Sequence, residues 1–147
     1  MVARTAPLAA AARPDDVEAR MSVLELGDDP ADVPQARHWV LSRCTEGGLA
    51  EDARFVVELV TSELVANAYQ HGRPPVSVLV ERTQTGEAPR LLIGVSDGGP
   101  GTPVVKDFDD DALGGRGMAL VESLAAEWGV DHDPAGAGKT VWCRLAG

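Results

Sequence analysis

The chain has 147 residues, and its 13 Lys and Arg against 23 Asp and Glu leave a formal net charge of −10. That balance, with no Lys/Arg cluster anywhere, excludes the basic face on which direct nucleic-acid or anionic-membrane binding depends. Apolar residues make up 44% and charged residues 24%, the proportions of an ordinary globular chain with one core, and no apolar run approaches the ~20 residues that span a bilayer.

The opening stretch MVARTAPLAAAARP has a short, hardly hydrophobic alanine run and reads poorly as a signal peptide. Residues 1–20 are therefore read as a flexible extension and 21–147 as a single domain. SVLEL (22–26) reads as a strand, and 27–44 as a helix with Asp28 and Asp29 at its opening and Val33, Ala36, Val40 and Leu41 at helical spacing. A longer helix runs from about Leu49 to Gln70, stopped by Gly72 and Pro74. VSVLVER (76–82) and RLLIGVSD (90–97) are β-rich runs joined by the hairpin-like TQTGEAP. A glycine-flanked loop covers 98–117, MALVESLAAEW (118–128) reads as a third helix ended by Gly129, and VDHD and TVWCRL read as two last strands. The order β-α-α-β-β-α-β-β, with short hairpin connections, implies an α+β two-layer sandwich: a mixed, mostly antiparallel sheet with helices on one face. Cys44 and Cys143 form no C-x-x-C pair and, without a secretory signal, read as buried, reduced thiols of a cytoplasmic protein.

The second helix carries two polar residues where its pattern asks for apolar ones. At about 100° per residue, Val56, Leu59, Val60 and Ala66 share a face with Glu63 and Asn67, while Arg54, Glu58, Thr61 and Val65 fall opposite. An unpaired buried carboxylate costs several kcal/mol or is neutralised. The pair therefore either sits at a half-exposed rim or lines a cavity, where two oxygen-bearing side chains one turn apart could hold a hard cation or orient a hydroxyl. Asp97 ends an apolar strand and is followed by Gly98, Gly99 and Gly101; this reads as an ordinary turn or as a carboxylate placed to accept from a ligand amino group, with glycines permitting close approach. Gly114, Gly115 and Gly117 precede a helix whose N–H groups could take phosphate, or form a simple hinge. AGKT (137–140) is no Walker A motif, because position 133 is Asp and a strand follows; position 120 is Leu, so the Rossmann pattern fails as well. His38, His71 and His132 show no metal-ligand spacing.

Taken in order, E-x-x-x-N (Glu63, Asn67), D-x-G-x-G (Asp97, Gly99, Gly101), G-x-G before a helix (Gly115, Gly117) and G-x-T at the last strand (Gly138, Thr140) resemble the Bergerat ATP-binding fold of the GHKL superfamily, which includes gyrase and histidine kinases. The short chain and the segments ELVANAYQHG, DGGPG and GGRGMALVESLAAEWGV look like its bacterial anti-sigma-factor serine/threonine kinase branch, over roughly residues 20–147. The resemblance implies that Asn67 ligates Mg²⁺, that Glu63 is the catalytic base, and that Asp97 takes the adenine amino group of ATP with Thr140 supporting the ring. It implies that Gly99 and Gly101 let the nucleotide approach closely. Gly115, Arg116, Gly117 and Met118 would offer backbone N–H groups to its phosphates, and Arg37 would lie at a partner surface. The implied partners are an anti-anti-sigma (STAS-domain) protein and a sigma factor, with a homodimer as the implied assembly; the alternative is a non-catalytic ATP-binding module that sequesters a regulatory partner. The lid of such a site, 102–113, carries Asp107, Asp109, Asp110 and Asp111 with Lys106 as its one cation. Phosphate neutralisation thus falls to Mg²⁺, Arg116 and backbone.

Overall fold

A computed structural model describes residues 18–45, 51–85, 88–99, 116–133 and 138–146. Within them the elements are β1 (Glu18–Leu26), a 3-10 turn (Pro30–Asp32), α1 (Val33–Thr45), α2 (Glu51–His71), β2 (Val76–Thr85), β3 (Ala88–Asp97), α3 (Arg116–Leu124), β4 (Glu127–His132) and β5 (Lys139–Ala146). The five described strands form one sheet in the order β1-β2-β3-β5-β4, and every adjacent pair is antiparallel. The α+β sandwich expected from the element order is thus the observed fold, with antiparallel pairing throughout the described sheet. β1 starts at Glu18, inside the stretch read from sequence as an extension.

Strand alternation divides the sheet into two chemically distinct faces. Val76, Val78 and Val80 of β2, Leu91, Ile93 and Val95 of β3, and Val141, Cys143 and Leu145 of β5 point to the helices. There they join Ala36, Val40, Val57, Val60, Leu64, Val65, Met118 and Val121 in one core. On the far face Leu79, Leu92 and Trp142 form a second, smaller buried cluster, while Met21 and Val23 of edge strand β1 stay more than half exposed. The first helical segment opens where sequence placed its acidic residues. Asp29 caps the 3-10 turn by accepting from Ala31 N–H at 2.9 Å, with Pro30 behind it, and Asp32 accepts from Gly27 N–H at 3.0 Å. The phenol of Tyr69 donates to Gly27 O at 2.6 Å and fastens the end of α2 to that loop. Both cysteines are free and buried, and burial pushes their thiols up to about 11 (Cys44) and about 12 (Cys143), so neither is a thiolate at neutral pH. Among the described residues no helix is long and apolar enough to cross a membrane.

Two local expectations change. The third helix ends at Leu124 rather than at Gly129, because Trp128 and Gly129 belong to β4 and pair with Cys143 and Trp142. The cause is packing: Trp128 is 1% exposed on the helix-facing side of the sheet, and an aromatic that large is better buried on a strand of that face than on a surface helix. The core stripe of α2 is also rotated from the sequence reading. Val57, Val60, Thr61, Leu64, Val65 and Ala68 are buried, whereas Ala66 is exposed and Glu63 and Asn67 are half-buried. A 21-residue helix lying between α1, α3 and the sheet has more than one apolar side, so a single-stripe projection misplaces its centre.

Replacing Trp128 by Ala should therefore destabilise the fold by about 3–5 kcal/mol. The loss should appear as a lower denaturant midpoint at unchanged m-value.

Candidate functional site

The last turns of α2, the end of β3 and the start of β5 converge. Gly72, just past α2, donates its N–H to Ala68 O at 2.8 Å and closes the helix. Its Cα lies so close to Asp97 that a Cβ there would overlap the carboxyl group. Gly138, with φ of +149°, abuts the carbonyl of Asp97 in the same way, and only glycine suits both its backbone and its space. Asp97 therefore sits in a backbone cage: its Oδ1 accepts from Gly99 N–H at 2.7 Å, and the neighbouring Gly98 N–H donates to Arg73 O at 2.6 Å.

The carboxylate also has a partner that sequence reading did not assign. Antiparallel register sets Lys139 directly across from Asp97. Lys139 Nζ donates to Asp97 Oδ1 at 3.0 Å and reaches Gly99 O at 3.5 Å, and both side chains are only 2% exposed. Thr140, expected beside Asp97, is not brought to it. One residue on along β5 it points to the other face of the sheet, where its hydroxyl lies 2.6 Å from that of Ser96. The period of two along a strand decides this: a G-x-T reading counts residues, while only alternate ones share a face. Lys139 shares the face of Asp97 only because β3 and β5 pair in this register.

Glu63 and Asn67 stand one turn apart on the flank of α2, both half-buried, which places them at the rim rather than in the core. Burial alone raises the Glu63 carboxyl above its ordinary value. Along α2, Asn67 lies five residues before Gly72 and Glu63 nine, so at about 1.5 Å per residue the helix ranges Asp97's cage, the amide and the carboxyl over ~13 Å. α3 begins at Arg116, so its first N–H groups belong to Arg116, Gly117 and Met118, the places where a helix leaves donors unsatisfied. The Met118 side chain is buried in the core, so its backbone is what remains for a ligand. Arg37 on α1 is half-buried and donates from Nη1 to Ser62 Oγ of α2 at 3.3 Å. Gly99 is in place beside Asp97, while Gly101, Gly115 and the stretch 102–113 lie outside the described residues.

These donor sets suit a nucleotide with its metal. An amide oxygen and a carboxylate one turn apart fit the oxygen preference of Mg²⁺, glycine backbone crowds the Asp97 carboxylate, and a helix N-terminus suits phosphate. Residues 26–145 match the family model described as the histidine kinase-like ATPase domain. No curated protein matches the chain.

Two outcomes follow for stability. Breaking a buried ion pair from one side is expected to destabilise by about 3–5 kcal/mol. Asp97→Asn and Lys139→Met should each do so, and the double variant should recover part of the loss in a double-mutant cycle of denaturant midpoints. Glu63 has a folded-state pKa above its unfolded value of 4.5. Its carboxyl thus contributes stability present below that value and lost as pH rises through the folded pKa. Glu63→Gln should melt higher than the parent at neutral pH, with the difference vanishing below about pH 4.5 in a melting series.

Proposed function

The chain belongs to the histidine kinase-like ATPase domain family, and on that premise we propose that it is an ATP- and Mg²⁺-dependent serine/threonine kinase of the anti-sigma-factor type. Its substrate is an anti-anti-sigma (STAS-domain) protein, and it regulates transcription by holding or releasing a sigma factor. The observation that carries this reading is the order of groups along α2: Asp97 held against Gly72 at one end, then Asn67, then Glu63. With adenine at Asp97, Asn67 and then Glu63 stand at increasing distance along α2, the order in which metal-bound phosphates and the transferred group would follow.

Each residue then has one task. Asp97 accepts from the exocyclic amino group of adenine. The N–H groups of Arg116, Gly117 and Met118 hold phosphate oxygens at the positive end of α3. Asn67 offers its side-chain oxygen to Mg²⁺, which when bound offsets phosphate charge. Ionised Glu63 takes the proton of a partner Ser or Thr hydroxyl as that oxygen bonds to the terminal phosphorus of ATP and ADP leaves. The raised Glu63 carboxyl suits a base, since a proton acceptor works best with a pKa nearer the working pH. Arg37, which donates to Ser62, is the residue of α1 that contacts the protein partner.

Incubation with labelled ATP and candidate STAS proteins tests the reading. The parent should label a Ser or Thr of one of them. Glu63→Gln should keep nucleotide affinity within about two-fold and lose transfer by about 10²–10⁴, the usual worth of a general base. Undiminished transfer in that variant would remove Glu63 from the role, and nucleotide binding without any label would mark the chain as a non-catalytic module.

A further inference from the structure

The family reading gives the adenine amino group to Asp97, yet Asp97 does not stand alone. Its Oδ1 is shared by Gly99 N–H and the Lys139 ammonium, and neither bond uses Oδ2. An ammonium carries three donors. One goes to Asp97, one reaches Gly99 O only at 3.5 Å, and these two leave a third. Thr140, the other polar group at the start of β5, faces away and is paired with Ser96.

A ligand amino group cannot displace Lys139 from Asp97 at equilibrium. Separation would leave a buried ammonium without its counter-ion, a loss larger than the return from one hydrogen bond to a neutral amino group. The pair therefore persists when a base arrives, and the base meets the free Oδ2 of Asp97 beside the Nζ of Lys139, which is held 3.0 Å from the other carboxylate oxygen, Oδ1. Adenine presents the complementary order along one edge: an amino group that donates, and beside it the ring nitrogen N1 that accepts. Guanine in the same register would set its N1–H donor against the ammonium.

We propose that Lys139 is a specificity-determining residue, donating from Nζ to N1 of adenine while Asp97 accepts from the 6-amino group. This rests on the reading of Asp97 as the adenine contact, and the experiment separates the two. The full chain is titrated calorimetrically with ATP, with 1-deaza-ATP, which lacks N1, and with purine riboside triphosphate, which lacks the amino group. The parent should bind 1-deaza-ATP about ten-fold or more weaker than ATP, the effect of one hydrogen bond to a charged group, and Lys139→Met should bind the two alike. Equal affinities in the parent, or a gap that survives in Lys139→Met, overturn the donation. Where Lys139→Met does not fold, the ¹⁵Nζ resonance of Lys139 in the parent decides: it should shift with ATP and not with 1-deaza-ATP, and no ATP-specific shift overturns the proposal. Purine riboside triphosphate binding as tightly as ATP would instead overturn the Asp97 contact, and failure of ATP itself to bind would overturn both.

Discussion

A carboxylate on β3 and an ammonium on β5 face each other at 3.0 Å, almost wholly out of water. Each is tolerable there only because the other is present. The pair fastens two neighbouring strands at the end of the sheet where α2 terminates. The Asp97 side chain leaves no room for a Cβ at Gly72, and the Asp97 backbone carbonyl leaves none at Gly138. The ammonium also offsets the charge of that buried carboxylate. Asp97 and its partner thus govern the strand ends, the two crowded glycines and the polarity of the candidate site together.

α2 shows how one element serves both packing and chemistry. Its buried stripe, Val57 to Ala68, fixes the helix against the sheet and α1. That rigidity lets two half-buried polar side chains on the flank keep their spacing. Glu63 is held where burial raises its carboxyl, while part of the side chain stays exposed. A fully buried carboxyl would be neutral and inert as a base, whereas a fully exposed one would be too weak.

Most of the architecture was legible in the sequence, because valine-rich alternation and helical spacing are local signals: β2, β3 and α2 fall within a few residues of their expected bounds. The exception, Trp128, obeys a tertiary demand. Nothing in MALVESLAAEW announces that its tryptophan must fill the core beside Cys143. For the candidate site, Glu63, Asn67, Asp97 and Gly99 could be picked out as residue types in a telling order. What could not be read was pairing across 42 residues of chain, which sets Lys139 and not Thr140 beside Asp97. That choice rests on strand parity, and parity is fixed only once β3 and β5 are in register.

The strand order carries a consequence for how the domain is assembled. β5 follows every other described strand in the chain, yet it lies inside the sheet, between β3 and β4. During synthesis β1, β2 and β3 can pair as a meander while β3 still offers an open edge, and an unpaired edge is an aggregation hazard. Through that interval Asp97 is a carboxylate without its ammonium, at the margin of an unfinished sheet. Arrival of β5 closes that edge and brings the ammonium to Asp97 in a single event. A chain that has not completed its sheet therefore has an unfinished candidate site, with Asp97 lacking the partner that its burial requires.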